Sequence, residues 1–228
     1  MSTNLVLALY FQAIQGVSAV QAGIKILPLL LACVLTSVLS GALITVIGYY
    51  NLVVLPAVVL LTVGCGLITR FDVGTPMREW FGFQVIAGLG VGPGFQIAVL
   101  VVQTVLTQEW VPVGTASVQF FQALGGAVSI AIAQTLFQNG LIDKIKADDI
   151  GIDPLVFINI GASEIKEVLT QMQRLDALDS VLEAYMKGLR NTYYLSTACT
   201  VCAFFAAASL EWKTVKKVDK KEPPAVAA

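Results

Sequence analysis

Gln96, Gln103 and Gln122 are amide side chains set inside long apolar stretches. What they can do there is donate and accept hydrogen bonds. An amide that faces lipid leaves its polar atoms unsatisfied, so each must face protein or a water-filled space. Two readings stay open: hydrogen bonds between neighbouring helices, or the lining of a cavity that receives a ligand. Covalent chemistry finds few parts. The chain has no His, the commonest general base and metal ligand, so metal catalysis and Ser–His catalysis are not supported. We expect no enzyme, no catalytic residue, no cofactor and no metal. Cys33, Cys65, Cys199 and Cys202 all fall in apolar runs, and the Cys199–Cys202 pair has no second pair and no βαβ setting beside it. They read as small apolar packers rather than a redox or zinc motif.

The element that must position the first two glutamines runs from Trp80 to Trp110, predominantly apolar, with Gly88, Gly90, Gly92, Pro93 and Gly94 at its centre. About 20 apolar residues cross a bilayer and Trp is enriched at both interfaces. Gly88 and Gly92 share a helix face, as do Gly90 and Gly94, and small residues at that spacing let helices approach closely in lipid. Gln96 and Gln103 continue the Gly88–Gly92 stripe. Pro93 is expected to kink the helix. The glycines are no dinucleotide loop, because Pro93 stands where the third Gly of GxGxxG belongs and no strand precedes them.

A composition of 57% hydrophobic and 13% charged residues, with a mean hydropathy of +0.80, is far more apolar than a soluble domain. The chain reads as an all-α integral membrane protein in a lipid bilayer. Its net charge of −1 gives no sign of a nucleic-acid partner.

Taken in order, Leu5 to Ile14 is too short to cross and reads as part of a span. Ile24 to Ile47 follows a turn at Gly16 to Ser18, with Lys25 able to snorkel at its start. Leu52 to Thr69 is a third span and the Trp80–Trp110 run a fourth. A fifth, Thr115 to Phe137, carries Thr115, Gln119, Gln122, Gly125, Gly126 and Ser129 as a small, polar stripe resembling that of the fourth. The two stripes make these helices partners across a cavity or a tight contact. This gives residues 1–137 as a partial first span and four full ones. Residues 138–188 form a polar, amphipathic helical loop, with Asp153–Pro154 starting one helix, Gly161 ending it and Ser163 capping the next. The last span occupies 189–212, and 213–228 is a Lys-rich tail. Lysines near both sides leave the charge bias balanced, so it does not settle orientation.

At FQAIQGVSAVQAGIKILPLLL, SGALITVIGYY, GFQVIAGLGVGPGFQ, VQTVL and VPVGTASVQFFQALGGA, the chain resembles the carboxyl-terminal part of fungal fourteen-span drug:proton antiporters. These are a branch of the major facilitator superfamily that includes toxin and azole efflux pumps. The resemblance runs nearly end to end and implies a carboxyl-terminal helical bundle of five full spans plus one partial span. It also implies an external loop, a cytoplasmic tail, residence in the plasma membrane and a small hydrophobic substrate. An amino-terminal half of six to eight helices would be the missing partner. In the family's scheme the first, second, fourth and fifth helices border the substrate path, and the third and sixth are peripheral. Gln96, Gln103 and Gln122 would then be polar contacts of the pathway and Phe120 or Phe121 an apolar one. Gly88, Gly92, Pro93, Gly125 and Gly126 would allow close packing and gating. One departure is Thr45-Val46-Ile47 before Gly48, where the family usually has a basic residue. None of the fifteen Asp and Glu falls mid-span, so proton coupling is expected outside this chain. The rival expectation is a membrane subunit, or the product of a broken gene, with no transport of its own.

Overall fold

The computed structural model describes residues 2–159 and 164–209, with the side chains of 2–5, 95–96, 104–105 and 159 outside that description. Described residues are helical almost throughout and contain no strand. The helices are α1 (Ser2–Ala13), α2 (Ala19–Ile47), α3 (Asn51–Ile68), α4 (Met77–Val105), α5 (Val111–Ala147), α6 (Pro154–Asn159), α7 (Ile165–Gln171) and α8 (Leu178–Ala208). A short 3₁₀ turn at Leu175–Ala177 leads into α8.

Local signals in the sequence set several of these boundaries. Ser18 caps α2 by accepting a hydrogen bond from the Gln21 N–H at 3.4 Å. Gly48 closes α2 with φ of 84°, a left-handed conformation that glycine adopts without steric cost. The Asp153 carboxylate accepts from the Leu155 N–H at 3.0 Å, and Pro154 opens α6. Glu164 stands at the start of α7, and Gly161, Ser163 and the lysine tail lie outside the described residues. Pro93 does not end α4, which continues as helix on both sides of it.

Among the described residues four helices are long and apolar enough to cross a membrane: α2, α3, most of α4 and α5. α8, expected as a further full span, is 31 residues long but carries Asn191, Thr192, Ser196, Thr197 and Thr200. Its polarity keeps it out of that set. At 37 residues α5 is about 55 Å long, more than a hydrocarbon core of about 30 Å requires. It passes without a break beyond Phe137, because no proline intervenes before Asp148 and Gly140, though a weak helix former, lies in a close contact with α8. Its far end pairs with the start of α8, where Gly140 lies against the Gly188 backbone and Gly188 against the Phe137 carbonyl.

α4 packs against both α2 and α3, α5 against α8, and α8 against α3, while α1 lies on α2, α8 and α5. The helices alternate in direction, so the 14–18, 69–76 and 148–177 connections gather at one end. There Tyr10 donates to the Asp72 carbonyl at 2.9 Å and Arg190 reaches the Asp72 carboxylate at 4.0 Å. Trp80, expected at a membrane interface, is instead buried beside Phe11, with ring centroids 5.1 Å apart. Trp110 at the opposite end is exposed, as an interfacial residue should be.

The segment between α5 and α8 folds over this end as a cap, with Phe157, Ile165 and Leu169 buried in the same core as Val181, Tyr185 and Leu189. Tyr185 donates to the Phe157 carbonyl at 2.7 Å, and burial pushes its hydroxyl up to about 12. A folded cap therefore holds this proton where an unfolded one, titrating near 10, releases it. The stability so contributed is complete below pH 10 and is lost as pH rises to about 12. Tyr185→Phe is expected to cost about 1–2 kcal/mol at neutral pH by leaving the Phe157 carbonyl unmet. It should also flatten the alkaline rise in hydrogen exchange of cap amides between pH 10 and 12, and an unchanged rise would disprove the assignment.

Candidate functional site

A cavity of about 410 Å³ opens among α3, α4, α5 and α8. α3 presents Val54, Ala57, Val58, Leu61 and Cys65, spaced by three and four so that they share one face. α4 contributes Gly90 and Gly94, where its backbone forms the wall. Gly90 is pressed against the Ala57 carbonyl and the Leu61 backbone, which fixes α4 to α3, while Gly94 has open space beside it. From α5 come Gln122 and Ser129, and from α8 Ser196, Cys199, Thr200 and Ala203.

The hydroxyls around this space are already committed as donors to their own helices. Ser129 donates to the Gly125 carbonyl at 2.6 Å, Ser196 to Thr192 at 3.2 Å and Thr200 to Thr197 at 2.8 Å. They therefore offer mainly lone pairs to an occupant. The Gln122 amide keeps both donor and acceptor available. Among the described residues no charged side chain lines the cavity. Such a lining suits an apolar, uncharged molecule that carries one or two hydrogen-bonding groups.

Of the residues expected in a substrate pathway whose side chains are described, the structure brings Gln122 alone into this cavity. Gln103 is exposed on α4, away from it, and the Gln96 side chain lies outside the described residues. Phe120 and Phe121 are 60% and 68% exposed on α5 and do not line it. The pairing of α4 with α5 through matching stripes also takes another form. The Gly88–Gly92 face lies against α2, with Gly88 against the Leu29 carbonyl and Gly92 against the Cys33 carbonyl and the Thr36 side chain. Ser37 on α2 donates to the Gly92 carbonyl at 2.8 Å. It is the other glycine face, Gly90 and Gly94, that shares the cavity with α5. Pro93 is buried within α4, Gly126 half-buried, and Gly125 exposed with open space around it. α3 and α8, peripheral in the scheme the resemblance implies, both line the cavity, and no described α1 residue does.

Two residues were passed over or misplaced in the sequence. Gln84 on α4 is fully buried, and neither atom of its amide has a hydrogen-bond partner among the described residues. Its signal was available, since Gln84 lies four residues before Gly88 and extends the same stripe by one turn. Lys25 does not snorkel outward. It donates to Gln15 and stands over the rings of Phe11 and Trp80.

Against known proteins, the chain is 38% identical over 221 residues to the MFS-type efflux pump MFS1 of Arthroderma benhamiae, covering 97% of this chain and 40% of that one. It is 39% identical to the rubrofusarin-specific efflux pump aurT of Gibberella zeae, over 93% of this chain and 38% of that one. With the MFS thioclapurine efflux transporter tcpA of Claviceps purpurea it shares 34% identity over 96% of its length and 40% of that protein's. No family model and no solved structure matches. Over nearly all of its length the chain is thus homologous to fungal efflux pumps of the MFS type, and it spans about 40% of the length of the curated relatives it matches.

Proposed function

We propose that this chain supplies one helical bundle of a fungal membrane efflux transporter and half of the path by which small hydrophobic compounds leave the cell. What supports the reading is the uncharged cavity with its uncommitted Gln122 amide, set among helices homologous to efflux pumps. The remaining helices, about six to eight, come from a partner portion corresponding to the rest of those longer pumps. The exposed apolar surfaces of α2 and α5 offer the contact, with Leu31, Leu35, Phe120 and Phe121 at its centre. Gln96 and Gln103 on α4 are assigned to the space between the two portions, where an amide meets water or substrate rather than lipid. Proton coupling belongs to the partner portion, because no acid falls mid-span here. Membership of the plasma membrane, an external cap and a cytoplasmic carboxyl terminus complete the reading.

The test is a chimera in which this chain replaces the matched segment of the Arthroderma pump, expressed in yeast lacking its own drug pumps. Energised efflux of a fluorescent hydrophobic drug, abolished by a protonophore, is the expected result. The chain expressed alone should insert without efflux. A chimera that inserts yet exports none of a panel of drugs and pigments would favour a packing subunit and sink the transport reading.

A further inference from the structure

We infer that the cap ends of α1, α2 and α4 form a binding site for a small organic anion, centred on Lys25 and Gln84. The Lys25 ammonium is half-buried, donates to the neutral Gln15 carbonyl oxygen, and lies 5.6 Å from the Phe11 ring centroid and 6.0 Å from that of Trp80. An amide oxygen and two ring faces solvate a cation but do not neutralise it. Among the described residues no carboxylate lies within ion-pair distance of Lys25, and Asp72, at the same end of the bundle, is engaged by Arg190 at 4.0 Å.

Gln84 supplies the second half of the site. It follows Trp80 by one helical turn, so the two side chains leave α4 on the same face. It is fully buried, with both amide atoms unmet among the described residues, a state that proteins rarely tolerate without a use. An uncompensated cation and an unmet amide donor, flanked by one aromatic wall, are complementary to a carboxylate or phenolate on an aromatic or aliphatic body. The anion takes the ammonium from Gln15 and a hydrogen bond from the Gln84 NH₂, and the rings of Phe11 and Trp80 cover the apolar part. Cationic ligands are repelled by Lys25. This site is charged where the α3–α4–α5–α8 cavity is neutral, and it stands whether or not that cavity carries a substrate.

Saturation-transfer NMR on the full chain in phosphatidylcholine nanodiscs, with benzoate and its neutral isostere benzamide as probes, tests the assignment. Benzoate should bind saturably and at least about tenfold more tightly than benzamide, the margin of a charge-assisted hydrogen bond. Lys25→Met and Gln84→Leu should each weaken benzoate about tenfold, and Lys25→Arg should leave it within about threefold. Absence of saturable benzoate binding, equal affinity for benzamide, or an unchanged affinity in Lys25→Met overturns the site. The benzoate–benzamide comparison decides even if the variants do not fold. Nanodiscs containing phosphatidylglycerol separate the sources of the anion. Competition that disappears in Lys25→Met identifies a lipid phosphate as the occupant, and competition that persists there overturns the site.

Discussion

Gly92→Ala in α4 is expected to lower the melting temperature of the membrane-inserted chain sharply, while Gly94→Ala two residues away raises it or leaves it unchanged. A methyl at position 92 meets the Cys33 carbonyl oxygen, the Thr36 hydroxyl and the Ser37 nitrogen. Two of these three are backbone atoms of α2 and cannot swing aside, so the helices must separate. One at position 90 meets the Ala57 carbonyl and the Leu61 Cα at 2.6 Å, forcing α4 off α3 instead. Overpacking of this kind costs about 1–3 kcal/mol per site, against a helix-propensity gain of about 1 kcal/mol for replacing glycine by alanine. The steric term wins at 90 and 92. At 94 and 125, where nothing lies within 4 Å of the new methyl, propensity alone acts. Gly90→Ala with Gly92→Ala wedges α4 away from both neighbours, and their summed cost of about 2–6 kcal/mol is a large share of an ordinary fold's stability. Fluorescence-detected size-exclusion melts of the four single variants and the double variant give the comparison directly. A Gly92→Ala chain that melts with Gly94→Ala would mean that α2 and α4 do not touch there.

This packing explains what the sequence revealed and what it withheld. The long apolar helices, the turn at Gly16 to Ser18 and the Asp153–Pro154 start were legible because each is a local event, decided by a few neighbouring residues. The glycine faces of α4 were legible as contact faces, but not which helix each would meet. Small residues carry no side chain by which to recognise a partner, so the similar stripes on α4 and α5 did not show that the Gly88–Gly92 face meets α2, while Gly90, pressed on α3, shares with Gly94 the cavity that α5 also lines. Lys25 and Trp80 were misread for a related reason. Each was assigned to the interface by its residue type, whereas Phe11 of α1 and Gln15 in the turn after it draw both inward. Gln122 entered the cavity as its stripe implied. Phe120 and Phe121, two and one residues before it, could not follow, because each helical step turns the side chain by about 100°.

The largest effect on transport is expected from filling the cavity rather than from removing a contact. Ala203→Trp on α8 should reduce efflux by the chimera about tenfold or more at unchanged membrane abundance, equivalent to about 1.4 kcal/mol or more on the limiting step. Ala203 lines the open space and is itself exposed, so an indole can enter without displacing backbone. Gln122→Leu should act differently. It removes an uncommitted amide donor from the lining, so compounds bearing a carbonyl or hydroxyl lose up to about tenfold, the worth of a single hydrogen bond, while purely apolar compounds are exported as before. Phe205→Ala on the outer face of α8 borders a separate apolar groove with Val59 and Val201 and should change neither. The three variants together separate a substrate path from a structural void. If Ala203→Trp exports normally, the cavity is a packing defect, and any substrate must run along the exposed faces of α2 and α5. If Ala203→Trp blocks export and Gln122→Leu affects all compounds alike, the cavity is the path but its amide does not choose among cargoes.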